Sequence, residues 1–255
     1  MFQTPPTRFP GGLSTAIKNT LLGNLTVPNP LQPHMYANDF EAYVAGDWTV
    51  TTAAGGSSAL TAGNGGLILQ TTGAAGTDAQ FNLKNPASFA FVAGTQLWFA
   101  WRGKVSTLSS VLQVGLQVTG STFAPTDGVY FTKATGSGSV NAVVRASSTS
   151  TTLSAITTMT ANTYITLGFY YDGKTDPTLY FFSSASSPSL SAFGQPFFTG
   201  GDCVAAVGAQ NPTNTSLANL PTANLAIGFG ITAGAAANEL LTTDYLLAAN
   251  EILRY

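Results

Sequence analysis

The stretch from Thr95 to Val118 alternates between apolar and polar residues over two successive segments, which a turn rich in serine and threonine separates. Side chains of a β-strand point to opposite faces in turn, so this period of two predicts two strands. The apolar face of the first segment carries Leu97, Phe99, Trp101 and Val105. The apolar face of the second carries Leu112, Val114, Leu116 and Val118. We therefore predict an antiparallel pair, buried on one face only, at the centre of a large β-sandwich.

Other segments before and after this pair show the same alternation, and clusters of glycine separate several of them. The predicted strands span residues 36–44, 48–52, 66–71, 79–84, 128–132, 139–145, 151–158, 164–172, 178–182, 225–232 and 242–253. Asp172-Gly173 marks a hairpin between two of these strands. About a dozen strands without a convincing helix predict an all-β fold, a two-sheet antiparallel jelly-roll sandwich.

The first 35 residues differ from the rest in their density of proline, which prevents a continuous helix or a central strand. We predict an extended N-terminal arm at 1–35, followed by a β-sandwich domain at 36–255 with a long connection at 183–222. The arm has too many apolar side chains for a solvated linker, so we expect it to anchor the protein to a partner. The arm residues predicted to make this contact are Phe2, Arg8, Phe9, Leu13, Ile17, Lys18 and Leu21.

Charged residues make up only 8% of the 255 residues, and the net charge is −2. A surface this neutral has little charge repulsion to keep copies apart, which suits a protein that packs into an assembly. No basic run is present, which argues against binding to nucleic acid or to an anionic membrane. The first residues lack the pattern of a secretory signal, so we expect synthesis and folding in a cytoplasm.

The single cysteine, Cys203, has no second cysteine with which to form an internal disulfide. We expect a buried thiol, since free cysteine behaves as a small apolar residue. A nucleophilic role would need a base nearby, and the single histidine, His34, lies in the predicted arm. Catalysis by either residue is therefore not expected.

Several short sequences within residues 37–255 occur in an order known from one superfamily. They are Asp39-Phe40-Glu41 followed by Trp48, the GLIL strand, the strand with Trp98 and Trp101, the GFYYDG hairpin and the TDYLLA strand. In this order the chain resembles the concanavalin-A-like jelly rolls, which include laminin-G domains and laminarinase-type glucanases. Together with the arm and the low charge, the whole resembles a capsid-decorating or cement protein of a tailed bacteriophage. The resemblance implies a non-enzymatic virion protein, a dimer or trimer on the capsid surface, that binds the major capsid protein without a cofactor.

The superfamily also raises the alternatives of a glucanase and a calcium site. Glycoside hydrolysis needs two carboxylates in a cleft, and the laminarinase-type motif Glu-x-Asp-x-x-Glu is absent. The nearest acid pairs, Asp39 with Glu41 and Asp172 with Asp176, lie on an opening strand and in a turn. Some relatives hold calcium where Asp39 and Asp244 would approach each other, but calcium prefers six to eight oxygen ligands. We expect these two residues to cap turns or bind backbone amides, and we predict no metal.

Recognition of carbohydrate is the main alternative to the structural role. It needs an exposed aromatic ring and a few polar groups, and four aromatic residues are predicted to lie opposite the core face of their strands. These possible sugar-facing residues are Trp98, Tyr130, Tyr170 and Tyr180. The alternative function is therefore a lectin-like module for host adhesion on the virion.

Overall fold

The computed structural model describes residues 33–63, 66–120, 122–184, 203–208, 217, 219–235 and 238–251, and most of these residues are in β-strands. The strands are β1 (Pro33–Asn38), β2 (Trp48–Thr52), β3 (Ser57–Thr61), β4 (Leu67–Thr71), β5 (Ala79–Lys84), β6 (Leu97–Val105), β7 (Val111–Gln117), β8 (Gly128–Lys133), β9 (Ser139–Ala146), β10 (Thr149–Thr158), β11 (Ile165–Tyr171), β12 (Thr178–Ser184), β13 (Cys203–Gly208), β14 (Ala226–Thr232) and β15 (Leu240–Glu251). Within these ranges, one 3-10 turn at Ala45–Asp47 is the sole helical element. No helix in the described ranges has the length and apolar character needed to span a membrane.

The strands form two antiparallel sheets. One sheet has eight strands, in the order β13-β12-β11-β6-β15-β4-β3, with β1 paired to β15 beside β4. The other has seven strands, in the order β10-β9-β8-β7-β14-β5-β2. The 12-residue strand β15 joins the larger sheet together, because β6 pairs along one of its sides while β4 and β1 pair in succession along the other. The predicted two-sheet sandwich is confirmed.

The two strands predicted between Thr95 and Val118 are both present, but they belong to different sheets. Leu97, Phe99 and Trp101 on β6 each expose 1% or less of their surface, and Leu112 and Val114 on β7 are fully buried in the same core. Burying one such side chain contributes about 1.5–3 kcal/mol. The predicted faces are therefore correct, and the predicted antiparallel pairing of the two strands with each other is wrong.

The second face of β7 is also buried, which corrects the prediction of one buried face. Gln113 and Gln117 expose 2% and 0%, because the loop after β7 folds over them. Both side-chain amides donate to the carbonyl oxygen of Thr122, at 2.9 and 2.8 Å, and the oxygen of Gln113 accepts from the N–H of Ala124 at 3.0 Å. Glutamine suits a solvated face equally well, so the alternation could not reveal this cover.

Strand β1 begins at Pro33, three residues before the predicted start of the sandwich at Tyr36, and it ends at Asn38. There the side-chain oxygen of Asn38 accepts from the N–H of Phe40 at 2.8 Å, and Phe40 has a positive φ of 53°. This turn ends the strand six residues before the predicted end, and it inserts the Phe40 ring into the core. The arm residues predicted to bind a partner lie outside the described residues.

Two strands were not predicted. Strand β3 is rich in serine and threonine, and four of its five residues are exposed, so it lacks an apolar face that alternation could show. Strand β13 lies inside the predicted long connection and pairs with β12 at the edge of the larger sheet. Cys203 at its start is exposed, which corrects the expectation of a buried thiol. An edge strand has a neighbour on one side only, so its residues are less covered.

Candidate interaction surface

Three of the four predicted sugar-facing residues come together on the outer face of the eight-stranded sheet. Tyr170 on β11 pairs directly with Trp98 on β6 and with Tyr180 on β12. The rings of Trp98 and Tyr170 are stacked with centroids 5.5 Å apart, and those of Tyr170 and Tyr180 with centroids 6.0 Å apart. All three side chains are partly exposed. We call these three residues the aromatic ladder.

The fourth residue, Tyr130, is not part of the ladder. It lies on β8 in the seven-stranded sheet, opposite Gly115, and exposes only 3% of its surface. A β-carbon added to Gly115 would lie 2.5 Å from the α-carbon of Tyr130, so the two strands approach closely here. Alternation predicts the face on which a residue lies, but it does not predict the sheet to which its strand belongs.

The aromatic ladder is the middle of a longer row that crosses six strands of the outer face. Each residue of this row pairs with the next one across neighbouring strands. In order across the sheet, the row is Met35, Ala249, Trp98, Tyr170, Tyr180 and Ala206. Every member is at least partly exposed. At about 4.8 Å between strands the row is about 24 Å long, and we call it the outer row.

A second row lies beside the outer row and parallel to it. On each strand its residue is two positions from the outer-row residue, except on β13, where the register shifts and the separation is three. In the same strand order, the second row is Ala37, Leu247, Ala100, Gly168, Phe182 and Cys203. Neither row contains a charged, amide or hydroxyl side chain apart from the tyrosine hydroxyls. The burial of Tyr170, followed by the charges of Asp172 and Glu251, raises the pKa of that phenol, so it is neutral at pH 7. The two rows are therefore apolar and uncharged.

Charged groups lie at the other end of the same face. Arg102 donates from Nε to the carboxylate of Asp244 at 2.9 Å, and its guanidinium lies 4.9 Å from the ring centroid of Tyr164. The ammonium of Lys104 lies 4.8 Å from the same ring. These contacts neutralise Asp244 and hold both cations against the sheet.

The acids considered for a calcium site approach each other, as the resemblance implied. Partial burial, and then the charges of Asp244 and Glu41, raises the pKa of Asp39. However, Asp244 binds the side chain of Arg102 rather than the backbone amide that we expected. Among the residues that the structure describes, no three histidine, cysteine or acidic side chains are grouped as metal ligands.

The other acid pair is part of a turn. Asp172 is buried, and its carboxylate accepts from the backbone N–H groups of Thr178 at 2.9 Å and Lys174 at 3.3 Å. It also forms an ion pair with the Lys174 ammonium at 3.3 Å, while Asp176 is exposed. These bonds close the predicted hairpin between β11 and β12, as expected for a turn residue.

A buried ionic centre at one end of the sandwich was missed entirely. Lys133 is fully buried, and its ammonium donates to the backbone oxygens of Leu108 at 2.8 Å, Ala134 at 3.2 Å and Ser110. Burial lowers the pKa of Lys133 to about 8, and the charge of Glu239 opposes this shift.

Glu239, which is itself buried, connects this centre to two further loops. Its carboxylate accepts from the hydroxyl of Ser109 at 2.5 Å and from the N–H of Gly234 at 3.1 Å, and its own N–H donates to Thr72. In the sequence, Lys133 comes directly after a predicted strand, where a solvated lysine is common, so no signal marks it as buried. The centre holds these loops together.

No known family model matches this chain, and no curated protein matches it either. Solved structures do match over most of its length. An endo-1,3-beta-glucanase from Streptomyces sioyaensis has a TM-score of 0.59 at 9% identity, over 88% of this chain and 99% of that chain. The fold is a concanavalin-A-like jelly roll.

Two other solved structures show the same similarity. A protein of unknown function from Shewanella oneidensis MR-1 has a TM-score of 0.55 at 13% identity, over 92% of this chain and 94% of that chain. The carbohydrate recognition domain of Emp46p, in its potassium-bound form, has a TM-score of 0.50 at 9% identity, over 83% and 94% of the two chains. At such low identities the concanavalin-A-like fold is shared, and nothing about activity follows from it.

Proposed function

We propose that this protein is a non-enzymatic structural protein that decorates and stabilises the outer surface of a bacteriophage capsid, with its N-terminal arm as the anchor. The observation that carries the proposal is the outer row, together with the second row beside it. A sheet face this apolar suits contact with another protein surface, because burying it removes apolar area from water and leaves only the two tyrosine hydroxyls and the Trp98 indole N–H to be paired. The capsid setting is supported by the resemblance of the arm and of the low-charge surface to decoration proteins.

The positions of the acids support a non-enzymatic role. Glycoside hydrolysis needs an acid of raised pKa and a second carboxylate about 5–10 Å from it in a cleft. The carboxylate of Asp172 accepts hydrogen bonds within a turn, and that of Asp244 pairs with Arg102. The carboxylate of Glu239 binds the loops around Lys133. Asp39 is the acid with a raised pKa, and it is exposed on the turn after β1.

The low charge supports an assembly on the particle. With 8% charged residues, many copies can lie side by side without strong mutual repulsion. The partner on the particle is the major capsid protein, and symmetric copies would add buried area at each junction between its subunits. The mechanical effect of each contact is small, but the contacts act together around the shell.

The test is binding of purified protein to assembled capsids, measured by co-sedimentation. We expect full-length protein to bind at a fixed ratio to the major capsid protein, and a variant lacking residues 1–30 to fold but lose most of this binding. Because β1 begins at Pro33, the truncation leaves the sandwich intact. A full-length protein that never reaches a fixed ratio would refute the decorating role. Full occupancy by the truncated variant would refute the arm as the anchor.

Carbohydrate binding is a second candidate, and the aromatic ladder specifically favours it. The rings of Trp98 and Tyr180 end the stacked series, and their neighbours across the strands, Ala249 and Ala206, have short side chains. Sugars bind on aromatic faces, but they also need polar groups that fix their orientation, and the two rows supply only the tyrosine hydroxyls and the Trp98 indole N–H.

The experiment for this candidate is binding to a glycan array and to soluble polysaccharides at millimolar sensitivity. Specific binding that Trp98→Ala abolishes would favour the lectin-like function over the decorating one. Val50→Ala, on an exposed strand of the other sheet, is the matched control and should leave any such binding unchanged.

A further inference from the structure

The sizes of the residues along the outer row follow a pattern that fits a second copy of the same row. Trp98 and Tyr170 are the two central residues of the row, and two further residues lie on each side of them. Counted outwards from the centre, one side has Ala249 and then Met35, while the other has Tyr180 and then Ala206. A large side chain on one side therefore corresponds to a small one on the other. We propose that the outer row is the contact surface of a dimer in which two copies pack face to face. The twofold axis runs parallel to the strands, between β6 and β11. This inference names the partner of the surface used above and rests on the proposed assembly role.

The proposed axis exchanges β6 with β11, β15 with β12, and β1 with β13. Tyr180 of one copy then lies over Ala249 of the other, and Met35 lies over Ala206. Trp98 lies against Tyr170 at the centre, where the large aromatic rings of both copies meet. Each large side chain beyond the centre therefore faces a small one, which is the relation that allows two surfaces to interlock without voids or clashes.

The second row is compatible with the same axis. Its central residues are Ala100 and Gly168, both small, and they exchange places. Leu247 of one copy faces Phe182 of the other, which is an apolar contact. The small centre of this row lies beside Trp98 and Tyr170, so it gives space for the central rings of the partner.

The charges at the Arg102 end of the face are also compatible with a copy of themselves. Within one chain, Arg102 on β6 pairs with Thr166 on β11. The axis therefore places Arg102 of one copy over Thr166 of the other. By the same register, the axis places Lys104 of one copy over Tyr164 of the other. Within one chain the Tyr164 ring already lies near the Lys104 ammonium, so the ring suits a cation. No two like charges of these positions are opposed, and opposed like charges are what usually prevents a surface from pairing with itself.

The size of the surface fits the centre of a dimer interface. Two rows across six strands cover about 24 Å by 14 Å, or roughly 300 Å² of apolar surface. A standard interface buries about 800 Å² on each partner, with an apolar centre and a polar rim. The two rows supply that centre, while Arg102, Asp244 and Lys104 lie at the rim.

Cysteine cross-linking tests the geometry directly. In a Cys203→Ser background, Met35→Cys and Ala206→Cys are placed in one chain, where five strand spacings of about 4.8 Å keep them far beyond the reach of a disulfide. Face-to-face sheets lie about 10 Å apart, so a thiol-specific linker of about that length is used in place of an oxidant. We expect a covalently linked dimer, and none from Met35→Cys alone, since the axis does not bring Met35 onto Met35. Neither residue is in the aromatic ladder. Equal cross-linking of the single and double variants would refute the proposed axis.

A charge exchange tests the same contact in solution by analytical ultracentrifugation. Tyr180→Lys should weaken the dimer at least about tenfold, because it places a charge over the apolar Ala249 of the partner. Adding Ala249→Glu to the same chain should restore it, because the new ammonium of each copy then faces the new carboxylate of the other across the axis. A wild-type protein that is monomeric at about 0.1 mM, or one that forms a trimer, would overturn the inference.

Capsid binding by the same variants separates this inference from the proposed function. Cross-linked dimers that do not bind capsids at a fixed ratio would leave the interface in place and refute the decorating role. Monomeric wild-type protein that binds capsids stoichiometrically would refute the interface and leave the decorating role in place.

Discussion

The indole N–H of Trp101 donates to the hydroxyl of Thr243 at 3.0 Å, inside the sandwich, and neither side chain is exposed. The bond links β6 to β15, which are neighbours in the eight-stranded sheet. A tryptophan in an apolar core needs such a partner, since an unpaired buried donor costs about 1–3 kcal/mol. The two residues therefore form one unit at the centre of the larger sheet.

We predict that Trp101→Ala lowers the free energy of unfolding by about 3–5 kcal/mol, because it removes the largest fully buried side chain of the core. Denaturant unfolding measures this. Val50→Ala is the control, on a strand of the other sheet, and should cost less than about 1 kcal/mol because that side chain is exposed. A cost below about 1 kcal/mol for Trp101→Ala would contradict its assignment to the core.

Thr243→Val tests the hydrogen bond separately from the packing. The substitution keeps the shape of the side chain but removes the acceptor of the indole N–H, so we expect a loss of about 1–3 kcal/mol. In the Trp101→Ala background the same change should cost much less, because the donor is already gone. Additive costs in the double variant would show that the two side chains do not act together.

Lys133→Met should destabilise the fold by about 3 kcal/mol at pH 7, because it leaves Glu239 without its buried countercharge and three backbone oxygens without their donor. Thermal or denaturant unfolding is the measurement. Lys174→Met is the control and should cost less, since the Lys174 ammonium is exposed to solvent, whereas that of Lys133 is fully buried. Equal stabilities of wild type and Lys133→Met would contradict a structural role for the ionic centre.

The same lysine predicts a pH dependence. Its pKa is about 8 in the folded protein, against an ordinary value of 10.5 in the unfolded chain. Between these two pH values the unfolded chain binds more protons at Lys133 than the folded protein does. The contribution of Lys133 to the free energy of unfolding therefore rises as pH rises from about 8 to 10.5. We expect the stability difference between wild type and Lys133→Met to widen over this range. A constant difference would place the pKa of Lys133 near its ordinary value.

Asp39→Asn and Glu41→Gln should leave capsid binding unchanged, because neither acid has a catalytic role in the proposed function. Asp39→Asn should also raise the melting temperature slightly at pH 7, since partial burial and the neighbouring charges of Asp244 and Glu41 disfavour its ionised form. This gain should disappear at about pH 3, below the ordinary pKa of the carboxyl, where wild-type Asp39 is protonated too. Polysaccharide cleavage lost in these variants would overturn the non-enzymatic proposal.

Local patterns in the sequence predicted the strands and faces that depend on neighbouring residues. The core faces of β6 and β7 and the hairpin around Asp172 were predicted because alternation and turn chemistry act over a few residues. Membership of a sheet depends on pairing between distant segments, and nothing local distinguishes β6 from β7 in this respect. This is why Trp98 and Tyr130 look equivalent in the sequence but lie on different sheets.

The parts of the candidate surface that were missed have weak local signals. Ala249, Ala206 and Met35 complete the outer row, but single alanine or methionine residues at partly exposed strand positions carry no distinguishing pattern. Lys133 was missed because its burial comes from loops that meet only in the folded protein. The predicted role of the arm stays a prediction, since residues 1–32 lie outside the described part.

Strand β15 has a further consequence for the making of this protein. It pairs with β6 on one side and with β4 and β1 on the other, so the larger sheet is three separate pieces until residues 240–251 have left the ribosome. Until then β6 and β4 each present an unpaired edge, which other chains can add to. Pairing between distant segments, such as Met35 with Ala249, also makes folding slow. Rapid synthesis at high temperature should therefore give aggregated protein, while slow synthesis in the cold should give soluble protein.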